Sequence, residues 1–298
     1  MRYAWIREHV DSYAVGVMCE LLEVSRSGYY AWESRKPCKR KECDARMGEA
    51  IEVVQRQHRG RYGRRRMHQE LTQGQGFRVG KKRVGRLMRE RGVQCRLRRR
   101  YKVVTTDSKH NHPIAANVLE RNFKALAPDQ KWVADLTYVA TAQGWLYVAL
   151  IMDLFSRKIV GWAMSANMPV DLPLEALKVA YGWRQADARL VHHSDRGSQY
   201  AAQAYREVLD ERQVVISMSR KGDCWDNAPM ESLNGTLKVE CVHQERFHTR
   251  EQAQALILAY IQYYNTKRRH SSLGYETPAQ FEKNWRAKQH GSPEQALQ

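Results

Sequence analysis

Residues 132–166 constrain the fold more than any other stretch. WVADLTYVAT, a Gln143-Gly144 turn, WLYVALIMDLFS and RKIVGWAMSA are three β-prone runs that follow one another with only short turns between them. Such spacing predicts an antiparallel meander. The pattern then changes: an amphipathic stretch DLPLEALKVAYGWR, a strand RLVHHSD, a helix within SQYAAQAYREVLDERQ and a strand VVISMSR. Three antiparallel strands followed by strand-helix-strand-helix predict a mixed α/β sheet with helices on its faces. Two helices close the domain, one carrying Glu231 and Lys238, the other running from Thr249 to Asn265.

Three carboxylates sit at telling places in that pattern. Asp135 lies inside the first β-prone run, Asp195 ends a later one just before Gly197, and Glu231 opens a helical stretch. A buried strand acid is costly unless it is paired or metal-bound. If the meander runs out to one edge and the chain crosses back, the first strand can lie beside the fourth, which brings Asp135 to Asp195. Glu231 then completes a set of oxygen ligands for divalent cations acting on a phosphodiester. Lys238, seven residues after Glu231, falls about 10 Å along the same helix face and suits a phosphate. Taken singly, Asp195 has a turn cap as its lesser reading, whereas Glu231 would read first as a carboxylate favoured by its helix dipole.

Other polar groups keep two readings. Asp153 is a fourth acid or a satisfied strand end. Asp223, Asp226 and Asn227 form a polar loop that orders the Glu231 helix or touches DNA. Tyr260, Tyr263 and Tyr264 have helical spacing and are core or a base-stacking platform. Lys267, Arg268, Arg269 and His270 complement a helix dipole or face a DNA backbone. His192, His193, Ser194 and Asp195 invite a hydrolase triad, but adjacent strand residues point to opposite faces and form no relay.

Charge separates the chain into halves. Of the net +18, residues 1–110 contribute +16, with 28 Lys and Arg against 12 Asp and Glu. A stripe of that kind attracts a polyanion in a salt-dependent way. No apolar run approaches the roughly 18–20 residues of a spanning helix, and the charged start Met1-Arg2-Tyr3-Ala4-Trp5-Ile6-Arg7 lacks the core of a secretory signal. The six cysteines show no repeated C-x-x-C spacing and read as reduced thiols of a cytosolic protein. Cys38 and Cys43 come nearest to a zinc half-site, without the short-range partners that would complete one.

Within the basic third, residues 12–33 outline a helix-turn-helix, with Val17, Met18, Leu21 and Leu22 on an apolar face and a turn at Ser25-Arg26-Ser27-Gly28. RKPCKRKECDAR reads as a basic linker broken by Pro37. From Met47 to Arg91 a second helical set places Val79, Val84, Leu87 and Met88 inward and Lys81, Lys82, Arg86 and Arg89 outward. That segment, with Arg64 and Arg65, is where DNA would sit, unless the charge is only a solvated face. Arg98, Arg99 and Arg100 belong to an extended basic connector.

In QKWVADLTYV, WLYVALIMDLFSRKIVGW, HHSDRGSQY, SMSRKGDCWDNAPMESLNGTLKVE and YNTKRRHSSLGYETPAQF, the chain resembles the OrfB-type transposases of bacterial insertion sequences. These are related to retroviral integrases and carry a DDE catalytic core on an RNase H-like fold. The resemblance implies cleavage at the element's ends and 3′-OH strand transfer, with the two ends first joined into a circular intermediate. It implies that Asp135, Asp195 and Glu231 hold two Mg²⁺ (or Mn²⁺) ions. DNA contacts follow at Lys238, Arg64, Arg65, Lys81, Lys82, Arg86, Arg98, Arg99, Arg100, Asn227 and Asn234. The expected division is a helix-turn-helix-like segment 1–45, a basic helix-turn-helix domain 46–100, a linker 101–127, an RNase H-like integrase core 128–285 and a tail 286–298. Expected partners are terminal inverted repeats and target DNA, further copies of the chain in a synaptic complex, and the OrfA product or an OrfA-OrfB fusion, because no heptad run for a leucine zipper is present here. The expected place of action is the bacterial cytoplasm, at the nucleoid. A nuclease that cuts and releases, or a DNA-binding repressor, remains the alternative.

Overall fold

Three short helices, α1 (Arg2–Glu8), α2 (Val15–Leu21) and α3 (Arg26–Glu33), open the chain in the computed structural model, which describes residues 1–36, 38–95, 113–168, 171–186 and 189–290. α2 and α3 are the two helices expected over 12–33, and Ser25 Oγ caps α3 by accepting from the Gly28 amide at 3.2 Å. α1 adds Ile6 to a small core with Met18, Cys19 and Tyr29. The apolar face is narrower than expected, since Val17 and Leu21 are 55% and 78% exposed. A helix of seven residues buries one stripe, and the stripe through Met18 and Leu22 turns Val17 and Leu21 away.

The expected basic linker is largely helical. α4 (Lys39–Gln57) begins within it and runs through the 45/46 boundary expected above. Asp44 explains the difference: it pairs with Arg83 Nε and Arg86 Nη2, each at 2.7 Å, so the charges are balanced from a later helix. α5 (Arg64–Gln69), a π turn (Glu70–Gly74) and α6 (Lys81–Glu90) follow. Met47, Ile51, Tyr62, Met67, Leu71 and Val84 are wholly buried among them. Met1–Gln94 forms one unit and Cys95–Gln298 another.

In the second unit the meander is present as β1 (Lys131–Thr141), β2 (Gly144–Asp153) and β3 (Ile159–Ser165), followed by α7 (Asp171–Trp183) and β4 (Val191–Ser194). α8 (Ser198–Ala201) and α9 (Gln203–Glu211) lead to β5 (Val215–Met218). The sheet order is β3-β2-β1-β4-β5. β1 is antiparallel to β2 and parallel to β4, as the crossing-back argument requires. α7 lies so close to β3 that a Cβ at Gly161 would stand 2.3 Å from the Ala176 carbonyl oxygen.

A 3-10 turn (Cys224–Asn227) introduces α10 (Ala228–Glu240), and α11 (Arg250–Thr266) and α12 (Pro278–His290) complete the unit. Thr249 and Gln252 form a reciprocal capping box at the start of α11. Side chains from α10 and α11 cover the sheet face of Val133, Val148 and Leu150. α7 and α9 cover the other face, with Trp132, Ala134 and Ile151. α12 crosses the expected 285/286 boundary because its Glu282 is buried, bonded to Arg184 at 2.5 Å, while Phe281 and Trp285 pack on Phe155. The end of the expected linker is likewise part of the fold: Leu119 is buried, and the amides of Val118 and Leu119 donate to Ser217 Oγ at 3.0 and 3.1 Å.

Candidate active site

Strand register brings the first two acids together. Trp132 pairs with His192 and Val133 with His193 in the parallel β1-β4 ladder. Carrying that register two residues further sets Asp135 beside Asp195, on the face Val133 shares with α10. β4 ends at Ser194, so Asp195 stands at the carboxyl end of a parallel strand, where the chain turns away. Its Oδ1 accepts from the Gly197 amide at 2.9 Å, and a Cβ at Gly197 would press to 3.0 Å on that oxygen. The glycine therefore lets the turn fold back on the carboxylate.

α10 supplies the rest. Met230, Leu233 and Leu237 anchor it to the sheet, and Asn234 on the same side is buried. Asn234 Nδ2 donates to Asp135 Oδ2 at 2.8 Å, while the Leu136 amide donates to Oδ1 at 2.9 Å. Glu231, one turn before Asn234, is exposed. Burial drives the Asp135 pKa well up, and the negative charges of Asp195 and Glu231 push it further the same way. Two acids thus act on the Asp135 carboxyl beside its burial. Lys238 lies 4.8 Å from the centre of the Tyr138 ring; burial lowers its pKa while the Asp135 charge pulls it back up. Tyr200, fully buried, has its pKa raised by burial first and then by Tyr205, Asp135 and Asp195.

These residues suit a hard divalent cation in donor chemistry. The mutual repulsion of the acids calls for positive charge, and Asn234 Oδ1 is a buried oxygen with no hydrogen-bond partner. The acids are not drawn into a closed cluster, however: among the described residues no three His, Cys, Asp or Glu side chains are grouped as a metal centre.

Several expected roles change. Asn227 does not reach outward; it is buried, and its Nδ2 donates to the Ala134 carbonyl at 2.9 Å, pinning the start of α10 to the strand before Asp135. Asn234, expected at DNA, is buried and donates to Asp135. Arg86 is engaged by Asp44 and Glu90, because the helix that opposes it begins earlier than expected. Arg268 is buried in a two-pronged pair with Glu240, at 2.9 and 2.8 Å, so it braces α10 and is withdrawn from any DNA backbone. Arg64, Arg65, Lys81 and Lys82 are exposed on α5 and α6. Arg98, Arg99 and Arg100 lie outside the described residues.

The bland readings hold for the remaining groups. Asp153 accepts from the amides of Asp129 and Ser156 and from Ser156 Oγ. Tyr260, Tyr263 and Tyr264 are core. His192 bonds Tyr205 on one face at 2.7 Å, and His193 bonds Ser217 and Ser219 on the other, at 2.8 and 3.1 Å. Of the two readings of the polar loop before α10, Asp226 takes the ordering one: it is wholly buried and accepts from the Arg220 amide and guanidinium, from Arg121 and from Asn117 at 2.7–2.9 Å. The partners that hold it, Arg121 and Asn117, lie more than a hundred residues away in sequence.

Comparison with known proteins agrees with this geometry. Residues 125–224 and 212–278 match the integrase core domain family, and 42–101 match an HTH-like domain. A 31 kDa protein of insertion element IS600 from Shigella sonnei is 46% identical over 90% of this chain and 98% of its own. Transposase InsF of insertion sequence IS3A from Escherichia coli K12 is 37% identical over 95% and 98% respectively. Among solved structures, the HTLV-2 integrase catalytic core in complex with magnesium covers 53% of this chain and 99% of its own, at 14% identity and a TM-score of 0.40.

Proposed function

The chain belongs to the insertion-sequence transposases built on an integrase core domain, and from that premise we propose that Asp135, Asp195 and Glu231 are the residues with which it cuts element ends and transfers the freed 3′-OH to new DNA. The observation that carries this assignment is that Asp135, inside β1, feels the charges of both Asp195, just past the end of the parallel neighbour β4, and Glu231 on α10.

Asp135, Asp195 and Glu231 would hold two Mg²⁺ or Mn²⁺ ions, which supply Lewis-acid polarisation of the phosphodiester and a lowered pKa for the attacking hydroxyl. The chain's own groups do the positioning. Asn234 and the Leu136 amide fix both oxygens of Asp135, and Lys238 offers its ammonium to a DNA phosphate on the same side of the helix. In the first step a water oxygen forms the new P–O bond, the strand's P–O3′ bond breaks, and the 3′ oxygen leaves with a proton as a hydroxyl. In the second, that hydroxyl oxygen attacks another phosphodiester and displaces a 3′-OH there. One P–O bond is exchanged for another, so no nucleotide cofactor is consumed.

The exposed cations Arg64, Arg65, Lys81 and Lys82, together with Arg98, Arg99 and Arg100, are assigned to phosphate contact along element or target DNA. Arg86 is omitted because its charge is balanced by Asp44 and Glu90. Several copies of the chain would act at paired ends, in the bacterial cytoplasm at the nucleoid. The OrfA product or a fused form would help recognise the ends; the exposed Val17 and Leu21 leave room for a protein contact. No helix among the described residues is long and apolar enough to cross a membrane.

The test uses purified full chain, a labelled pre-cleaved element end, a plasmid target and Mg²⁺. Joined product is expected from the wild type and from none of Asp135→Asn, Asp195→Asn and Glu231→Gln, all of which keep DNA binding. Strand transfer by any one of these three variants would sink the assignment.

A further inference from the structure

Four tryptophans are strongly exposed among the described residues: Trp5, Trp145, Trp183 and Trp225. Three of them lie against another ring, Trp5 on His9, Trp145 on Tyr138 and Trp183 on Trp162. Trp225, 65% exposed, has no such companion among the described residues. A rigid, amphipathic indole with no ring packed on it offers a flat face for stacking.

Its backbone is held unusually firmly for a surface turn. Asp223 Oδ1 accepts from the Trp225 amide at 3.2 Å. The next residue, Asp226, is clasped by Arg220, Arg121 and Asn117, and the one after, Asn227, is bonded to Ala134. The indole is therefore presented from a fixed point and loses little conformational freedom when a ligand covers it.

Position and charge indicate which ligand. Asn227 touches the residue before Asp135, and two residues of chain from there to Trp225 span at most about 7 Å, the rise of about two stacked nucleotides. Glu231 follows six positions after Trp225, in the first turn of α10. Arg121 and Arg220 are paired with Asp223 and Asp226 at this turn, and exposed Lys221 stands next to them in the chain. An exposed aromatic face with a lysine nearby, close to the acids assigned to strand cleavage, suits an unpaired base on its polyanionic backbone.

We propose that Trp225 is a stacking platform for a nucleobase at the end of the DNA strand offered to Asp135, Asp195 and Glu231. The base must be terminal or splayed, because a base inside a duplex has both faces covered. The inference rests on the DNA-processing reading above and adds to it a requirement for an open strand end.

The test measures binding in metal-free buffer, so that it does not depend on cleavage. Full-length wild type, Trp225→Ala, Trp225→Phe and Glu231→Gln are titrated with a duplex whose end is frayed, carrying 2-aminopurine at the terminal position or at an internal one. Expected is quenching of the terminal probe alone by wild type, Trp225→Phe and Glu231→Gln. Trp225→Ala should lose it and bind the frayed end about tenfold more weakly, as removal of one base-aromatic stack does. Equal quenching and affinity for Trp225→Ala would overturn the proposal. So would a change in oligomeric state without a change in quenching, which would make Trp225 a protein contact. Cleavage and joining by a wild type that shows no Trp225-dependent quenching would leave the assigned chemistry standing and remove only this platform; a wild type that binds no DNA would remove both.

Discussion

Replacing Asp226 with Asn removes the charge at the centre of the loop before α10 while keeping its shape. Asp226 is completely buried, and its two oxygens receive five hydrogen bonds, from the Arg220 amide, Arg220 Nε and Nη2, Arg121 Nε and Asn117 Nδ2. An asparagine oxygen satisfies one side, but its amide then turns N–H groups toward arginine donors. Removing one partner of a buried ion pair costs about 3–5 kcal/mol. The side chains of Arg220 and Arg121 are 55% and 44% exposed and can rehydrate, which puts the loss near the lower end, about 3 kcal/mol. In a unit of this size each kcal/mol moves the midpoint by about 2–4 °C, so the larger unit should melt about 6–12 °C earlier. Calorimetry of the full chain, following that unit's transition, measures the shift. Arg220 first, and Arg121 with it, hold the Asp226 carboxyl below the usual aspartate range. Its stabilisation is therefore present above about pH 4 and is lost as the pH falls below that, so the gap between wild type and variant should narrow there. A midpoint lowered by less than about 2 °C at neutral pH, with secondary structure intact, would refute the claim that this charge holds the loop.

Burial lowers His192 to a pKa of about 3 and His193 to about 4. The unfolded chain binds those protons first, so stability should fall by about 1.4 kcal/mol per pH unit for each histidine as the pH drops below about 6.5, and urea midpoints from pH 7 to 4.5 would lose part of that slope in His192→Phe. Arg268→Met strands Glu240 and should cost about 3–5 kcal/mol by urea denaturation, whereas exchanging Arg269 should do far less. Asn234→Ala frees one oxygen of Asp135 and should lower the joining rate about tenfold or more with little change in DNA affinity; an unchanged rate would show that the Leu136 amide alone orients the carboxylate.

The sheet and the pairing of Asp135 with Asp195 were legible because strands alternate with a period of two and short turns leave little choice of neighbour. The three acids stood out because carboxylates in apolar or helix-start positions are conspicuous. Polar residues that act inward were harder to read. Asn234 sits on the Met230-Leu233-Leu237 stripe of α10, and a polar group on an apolar stripe was the available signal. Arg268 and Arg86 looked like free cations because Glu240 and Asp44, which neutralise them, lie 28 and 42 residues away in sequence. Local charge pattern carries no knowledge of such partners. Likewise α4 was missed at its start because run-on basic residues look self-repelling until Asp44 is seen between two arginines of α6.

The parallel ladder between β1 and β4 is only three residue pairs long, yet its register sets Asp195 toward the face of Asp135. Loss of a single codon within β4 would move the strand-end side chains beyond it, Asp195 among them, to the opposite face. The sheet could re-form on its hydrophobic pattern, and the N-terminal unit would be untouched. A copy damaged in this way would still reach DNA while doing no chemistry there. Decaying copies of such an element would thus pass through a stage in which their product competes with intact enzyme for the same ends, restraining the spread of the active copies that remain.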